Sequence, residues 1–573
     1  MSICRENRGG RVYLAEYRSV REGKKVKHKF VRYLGREGPD GKPVKRPKHI
    51  LEKVKRSTAY RSGDVTLLWK IAEDLQFVST IDRFCCGESE IEGPSPGKFL
   101  TIWAINRAID PNSCTRLKDW VIDTDLPDLA GIDRELFTKD AFLSALDFVC
   151  YRERGAGKET DHTAVIDDTL YRIWRSKNPL PPGKKETVAY DLTTILFFGV
   201  TCPLAEIGYN PKHIKQRQAN IALLVSKYDS VPMAHFVYKG SRNSASTVKN
   251  LLARLIDSAI EPGTIVWDRG NVSKEHIKSV EGTDWDLICG IPKTSNDAVD
   301  IITRTEIQCN PLTFVRKSKC GSIYAEKVTG TLYGRERSVV VYLNPNRRLN
   351  VVDARNQALS EIGEELDSLS DRGANWSEKD LHSEIDRIVG NWKKYIHVTV
   401  SRKPTGPRVN WKYRQDVLRH ADKTDGKFLL YATDESLDAG DIVNMYLDKD
   451  FIEKVFRTMK SSEKIEPVRH RLETRVKGHI FVCVLAYRLL SALQWYLKGL
   501  KVKGEGISWE RAEKLLSKLS RIERMEVTYG KQRQTWYLNV SDEVKKTVKL
   551  LGFPGLFDDS IVEPGGDVVG NSR

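Results

Sequence analysis

Three acidic residues, Asp191, Asp268 and Glu453, have the types and settings from which a metal-dependent phosphoryl-transfer site is built. Hard divalent ions take oxygen ligands. Cleaving a phosphodiester through two of them needs carboxylates that meet within a few ångströms, to activate one oxygen and stabilise the leaving one. What matters is position on the fold, so the intervals of 77 and 185 residues between these acids are compatible with one site. Asp191 interrupts the apolar run TVAYDLTTI. An unpaired carboxylate there is costly, so it either binds a ligand or hydrogen bonds to Thr193 or Thr194 at a strand end. Asp268 ends the strand IVWD; Gly270 then lets the chain turn, and Ser273 caps the next helix. Acidic residues at the carboxyl ends of sheet strands sit where α/β folds gather ligands; a loop Asp paired with Arg269 is the alternative.

The third segment, DIVNMYLDKDFIEKVFRTMKS, has helical periodicity. Ile452, Val455, Phe456 and Met459 fall at i, i+3, i+4 and i+7, the mark of a helix packed on a sheet. Tyr446, Lys449, Glu453, Arg457 and Lys460 share an adjoining stripe. A carboxylate flanked by cations and a tyrosine suits a metal ligand set among DNA phosphates; an exposed face with ordinary Lys–Glu pairs gives the same pattern.

The elements that must position these acids follow from the hydrophobic pattern. ETVAYDLTTILFF, NIALLVSKY and PMAHFVYKG are strand-like. The helix SASTVKNLLARLIDSAI, strand GTIVWD, helix SKEHIKSV and strand WDLICGIP follow. Three strands joined by short turns and then alternating helices and strands predict an α/β fold, a mixed sheet with flanking helices in the order of a ribonuclease-H-like core. The Asp268 strand is expected beside the Asp191 strand. Between about 293 and 425 the pattern breaks down: the strand-like stretch GSIYAEKVTGTLYGRERSVVVYLN has no clear place in the sheet, and a charged helical stretch follows. This region reads as an insertion. GKFLLYATD returns to the core, and helices from about 439 to 500 complete it.

Residues 11–35 alternate around Arg21-Glu22-Gly23 as a basic hairpin, 35–48 is a Gly/Pro/Lys linker, and 61–155 carries helical periodicity. The expected division is 1–60, basic arm and linker; 61–160, helical domain for DNA-end binding; 161–292, first part of the catalytic core; 293–425, inserted domain; 426–500, second part with the Glu453 helix; and 501–573, a C-terminal helix and hairpin suited to dimerisation, with an acidic, Gly-containing end.

At 573 residues the chain exceeds what one core serves. Its net charge of +17 favours a polyanionic partner. Residues 1–60 hold 18 Lys plus Arg against 6 Asp plus Glu, a clustering that suits phosphate contacts. The ten cysteines show no C-x-x-C pair or zinc-finger spacing and read as reduced, mostly buried thiols, with adjacent Cys85 and Cys86 explained by packing. No run of 18 apolar residues and no apolar signal core is present, so neither a membrane span nor export is expected and the default address is the cytoplasm.

The Tyr446–Lys460 stripe resembles the Y-x(2)-R-x(3)-E-x(6)-K signature of a large group of bacterial and archaeal insertion-sequence DDE transposases, with Tyr446, Glu453 and Lys460 at the required spacing. Lys449 stands where that family usually has Arg, which keeps the charge and loses the bidentate fork. YDLTT and WDRG look like the blocks around the family's first and second catalytic aspartates, mapping those roles onto Asp191 and Asp268. HRLETRVKGHIFVCVLAYRLL and the basic hairpin are similar to the longer-chain branch, and the resemblance covers most of residues 10–550. It implies cut-and-paste transposition with two Mg²⁺ ions, or Mn²⁺ in their place, held by Asp191, Asp268 and Glu453. Water attacks the phosphodiester at the transposon end, and the liberated 3′-hydroxyl attacks target DNA. The implied partners are double-stranded DNA and a second copy of the chain in the synaptic complex, with no membrane and with nucleoid association when DNA is bound. Tyr446, Lys449, Arg457, Lys460 and Arg269 are the expected DNA contacts. A decayed transposase that only binds DNA and a structure-selective nuclease on the same core are the competing readings.

Asp167 and Asp168 in AVIDDTLYRIW are rival first aspartates, but they leave YDLTT unexplained. Asp434 and Glu435 are assigned to turn chemistry at a strand end. His470 and His479 are expected at phosphates or on a helix surface, with core packing an option for His479.

Overall fold

The computed structural model describes the chain except residues 1, 9–10, 23–24, 38–40, 42, 45–53, 88–94, 153–158, 199–200, 211–213, 244, 259, 373–375, 404–405, 506–510, 530–531 and 563–573. Two units emerge, one made of 1–63 with 518–573, the other of 64–517.

In the first unit, β1 (Ser2–Arg8), β2 (Arg11–Glu22), β3 (Lys25–Glu37) and the short β4 (Pro43–Val44) form one antiparallel sheet in that order. The basic hairpin is β2–β3, paired from Glu22↔Lys25 to Tyr13↔Arg36. Gly23 of its expected turn lies outside the described residues. The expected linker 35–48 is partly strand, because Arg36 and Glu37 pair with Val44 and Pro43; 38–40, 42 and 45–48 lie outside the described residues. The strand β5 (Val54–Arg61) pairs with Glu523–Tyr529, which pairs in turn with Gln532–Leu538. The C-terminal hairpin thus takes a strand from the other end of the chain. The acidic end, 563–573, lies outside the described residues.

The second unit begins with helices α1 (Gly63–Asp74), α2 (Phe77–Cys86), α3 (Pro96–Ile109), α4 (Cys114–Ile122), α5 (Leu126–Ala130) and α6 (Lys139–Val149). Ser95 and Thr138 cap α3 and α6 by accepting from Lys98 and Ala141 N–H, which satisfies amides that helix starts leave open. Phe99, Trp103, Phe137 and Phe142 form their aromatic core, with Phe142 edge to face against Phe99 and Trp103 and stacked on Phe137. The small pair β6 (Cys150–Arg152) and β7 (Glu159–Asp161) and helix α7 (Thr163–Lys177) lead to the sheet.

That sheet starts with β8 (Thr187–Leu196), β9 (Glu206–Ile207), β10 (Arg217–Ser226) and β11 (Pro232–Lys239). Helix α8 (Val248–Asp257), β12 (Thr264–Trp267), α9 (Lys274–Glu281), β13 (Asp286–Ile291) and α10 (Asn296–Arg304) follow. Strands β8, β12 and β13 are parallel neighbours, and β10 and β11 add antiparallel. The next strands, β14 (Phe314–Ser318), β15 (Gly321–Leu332) and β16 (Arg335–Leu343), do not leave the sheet. They extend it beyond β19 (Lys427–Ala432), giving the order β11-β10-β8-β12-β13-β19-β16-β15-β14. The stretch without a clear place, 321–344, therefore supplies two strands of the sheet, and β14 just before it a third. Alternation in that stretch is weak because the buried side chains change face along β15, with Ile323 and Ala325 on one side and Leu332 on the other. What stands apart is narrower. Helices α11 (Pro345–Arg372), α12 (Glu378–Val389) and α13 (Gln415–Thr424), with the hairpin β17 (Ile396–Lys403) and β18 (Gly406–Tyr413), share their own core around Leu366, Leu369, Leu381 and Val389.

Three helices complete the unit: α14 (Ala439–Asp448), α15 (Phe451–Ser461) and α16 (Glu473–Val502). Helix α16 is apolar and long enough to cross a bilayer, yet 83% of its apolar window is buried inside the protein. Gly478 brings it against Leu146 of α6, where a methyl group would meet the leucine at 3.1 Å. Four of the ten cysteines are buried, three are half-buried, and Cys4, Cys309 and Cys320 are exposed, so the thiols are less uniformly buried than expected.

Candidate active site

The segment expected as one helix is two. Across residues 446–452 the backbone bonds contract to i→i+3, with Lys449 N–H to Tyr446 O, Asp450 N–H to Leu447 O and Ile452 N–H to Lys449 O. Asp448, at the end of α14, is anchored by Arg316 at 2.6 Å and Lys227 at 3.0 Å. The two helices cover different halves of one sheet face. Ile442, Val443 and Tyr446 of α14 pack over Val266, Ile288 and Val340, whereas Ile452, Val455, Phe456 and Met459 of α15 pack with Ala189, Ile195, Leu223 and α16. Burying each of those four α15 side chains contributes roughly 1.5–3 kcal/mol, which fastens the helix while Glu453 stays on its exposed edge.

The break therefore lies above the seam between β8 and β12. Strand alternation puts Asp191 on the same face as Ala189 and Ile195, and continues Val266 to Asp268 on that face. The parallel register sets Trp267 opposite Tyr190, so Asp268 and Asp191 are the next positions of neighbouring strands. Asp191, Asp268 and Glu453 line one cavity of ≈ 30 Å³ together with Lys449 and Asp450. That volume admits an ion or a water molecule. Asp450, a fourth carboxylate missed in the sequence, enters because the helix breaks beside it. Their oxygens stand wider than the 4.8 Å mutual spacing of the Cys150, Glu159 and Asp161 group. In that group Glu159 is already paired by Lys477 and Arg152.

Electrostatics separates the two aspartates. Burial pushes the Asp191 carboxyl up to about 6, and the charges of Asp268 and Glu453 add to the rise; Leu192 N–H, which donates to it at 2.8 Å, and Lys449 act against it. Burial also works to raise Asp268, but Lys449, the Arg269 N–H and the Tyr446 hydroxyl outweigh it and hold the carboxyl below its ordinary value. Tyr446 donates to Asp268 Oδ1 at 2.8 Å, and Lys449 Nζ lies 3.8 Å from Asp268 Oδ2 and 5.0 Å over the Tyr446 ring. Lys460 Nζ donates to Thr193 Oγ1 at 2.8 Å, two residues along β8 from Asp191. Arg269 is exposed, its guanidinium 5.8 Å from the Phe428 ring centre, and Arg457 is exposed on α15. Gly290 of β13 was not singled out in the sequence. A methyl group there would collide with Tyr446 and with Arg269 Cγ, so only glycine leaves the tyrosine room to reach Asp268. No local pattern reveals such a contact.

The residues set aside lie elsewhere. Asp167 is fully buried, clamped by His235 Nδ1 at 2.6 Å and Arg488 at 2.9 Å, and Asp168 pairs with Arg254. Asp434 accepts from Ser436 N–H and Oγ, a strand-end turn. His479 is buried, with Nε2 3.3 Å from Ile465 O, and His470 stands against it with ring centres 5.2 Å apart.

Carboxylates from two sheet strands and a covering helix thus meet at one small polar site. Residues 182–489 match the family described as the transposase DDE domain, and the chain belongs to that family. Among solved structures, a piggyBac transposase synaptic complex with hairpin DNA aligns at 11% identity with a TM-score of 0.36, covering 80% of this chain and 79% of that one. No curated protein matches.

Proposed function

We propose that the chain binds the inverted-repeat ends of its own insertion sequence, cleaves a phosphodiester at each end and joins the 3′-hydroxyl ends to target DNA. The observation that carries this reading is the convergence of Asp191, Asp268 and Glu453, from three separate elements, on one small cavity. A carboxyl raised by burial, with the charges of its acidic neighbours adding to the rise, is a group whose ionised form a divalent cation favours, and an all-oxygen donor set suits Mg²⁺ or Mn²⁺. Asp191, Asp268 and Glu453 would hold two such ions, which supply an activated attacking oxygen and stabilise the leaving one.

The other residues act around them. Tyr446 fixes the Asp268 carboxylate, while Lys449, Lys460, Arg269 and Arg457 offer cations to the phosphates on either side of the cut. In this reading Tyr446, Lys449, Glu453 and Lys460 are the signature of the insertion-sequence group. The sheet from β8 to β13 is its ribonuclease-H-like core, 345–424 is the insertion, and α1–α6 serve DNA-end binding. Two-ended chemistry calls for a homodimer.

Purified protein with duplexes carrying the termini of its element should nick them in Mg²⁺ or Mn²⁺ and transfer precleaved ends to a target plasmid. Cleavage without any joined product would make it a nuclease, and end binding without cleavage in any divalent ion would make it a DNA-binding protein only.

A further inference from the structure

A second polar cavity, of ≈ 520 Å³, opens between the starts of α4 and α6 and the segment 464–475 that joins α15 to α16. Lys139, Lys464, Arg469 and Arg471 line it as exposed side chains, and no described ion pair engages them. Glu466, the carboxylate on its wall, is occupied by Leu196 N–H at 2.9 Å. Arg475 is held by Asp147 through two bonds of 2.8 and 2.6 Å.

Arg107 lies at the inner end of this cavity and is 7% exposed. Its Nη1 reaches the carbonyls of Glu463 and Lys464 at 3.5 and 3.3 Å, and its Nε–H has no acceptor. Neighbouring Glu463 is fully buried, neither of its oxygens is hydrogen bonded, and burial holds its carboxyl well above the usual range. No described ion pair engages the Arg107 guanidinium, from Glu463 or from any other carboxylate. A buried guanidinium without a counter-charge is strongly unfavourable, and an anion in the adjoining cavity removes the imbalance. Helix α4 also begins here. Its N-cap Ser113 makes no side-chain capping bond and its first turn holds no acid, so its amides face the same space with positive potential.

We propose that this cleft binds the backbone of duplex DNA, with Arg107 and the α4 amides taking one phosphodiester and Lys139, Lys464, Arg469 and Arg471 the flanking ones. The assignment rests on the reading of the chain as a DNA-processing enzyme and adds a second grip on the same duplex. Phe197, just after β8, bridges to Val468, and Glu466 bonds Leu196, so the cleft adjoins the far end of the strand that carries Asp191. Five strand residues span roughly 16 Å, within one duplex lying across both places. Contacts of this kind position DNA without reading its sequence.

Fluorescence anisotropy with a fluorescein-labelled duplex of about 30 base pairs and arbitrary sequence, without divalent ions, tests the assignment across KCl concentrations. Each phosphate contact removed lowers the slope of log affinity against log salt by about 0.9. Arg469→Ala combined with Arg471→Ala, both exposed, should lower it by about 1.8 with an unchanged thermal midpoint, and Arg107→Gln should weaken binding roughly tenfold. Wild-type binding with an unaltered slope in the double variant overturns the proposal, even if Arg107→Gln misfolds. A wild-type protein that binds no duplex overturns the DNA reading itself.

Discussion

The Tyr446 hydroxyl donates to Asp268 Oδ1 at 2.8 Å across 178 positions of sequence, joining the end of a sheet strand to the helix that leads to Glu453. The bond ties the second aspartate to α14 just before the helix breaks. A hydrogen bond to a carboxylate is worth about 1.5–3 kcal/mol. Tyr446→Phe should therefore slow end cleavage by roughly tenfold to a hundredfold. The phenyl ring keeps its packing against Val266 and Val340, so the thermal midpoint should move little; single-turnover cleavage and thermal unfolding check both statements.

Gly290→Ala should produce the same defect from the other side. The added methyl meets Tyr446 Cζ at 2.9 Å and Arg269 Cγ at 2.8 Å, so the tyrosine must retreat from Asp268. Overpacking of this kind costs about 1–3 kcal/mol of stability. Because both substitutions break one interaction, the double variant Gly290→Ala/Tyr446→Phe should cleave no more slowly than the worse single variant. Multiplying rate losses would show that Gly290 acts elsewhere.

Asp167 and Asp191 should separate stability from chemistry. Asp167 is completely buried between His235 and Arg488, and losing one charge of such a cluster costs about 3–5 kcal/mol. Asp167→Asn should unfold at much lower urea concentration. Asp191→Asn removes a carboxylate whose ionised form burial already disfavours, so metal-free protein should be as stable as wild type or more so, with cleavage lost.

Acid should weaken the fold through His470. Burial, then the charges of Arg475 and Arg107, bring this histidine down to about 4, with Asp147 opposing. Between the ordinary 6.5 and about 4 the unfolded chain binds the proton and the folded chain does not, so stability rises with pH across that window and is lost as pH falls through it. The effect is at most about 3 kcal/mol. Urea midpoints measured at pH 7 and 4.5 should fall further for wild type than for His470→Gln; equal falls would remove His470 as the cause.

The sequence carried the acids and the strand order better than it carried what surrounds them. Asp191 and Asp268 are legible because each ends or interrupts an apolar strand, where a carboxylate needs a reason, and the i, i+3, i+4 pattern of Ile452 to Met459 marks the helix beside them. The break at Lys449–Asp450 is hidden because LDKD has no glycine or proline; beside it Asp448 meets Arg316 of β14 and Lys227 of the turn after β10, partners far along the chain. The strand-like stretch 321–344 has no evident place in the sheet because β19, the neighbour of β16, follows only after the separate helical cluster. Gly290, Asp450 and the pairing of β5 with the C-terminal hairpin depend wholly on partners far along the chain, which periodicity does not report.

The convergence of the three acids on divalent ions is tested most directly by loading the protein with Fe²⁺ in place of Mg²⁺ and adding ascorbate, so that radicals formed at the bound ion cut the nearest backbone. Mass mapping should place the cuts next to Asp191, Asp268 and Glu453 together, all suppressed by excess Mg²⁺ and lost in Asp268→Asn. Cuts near only one of the three, or cuts that excess Mg²⁺ leaves unchanged, would contradict a shared metal site.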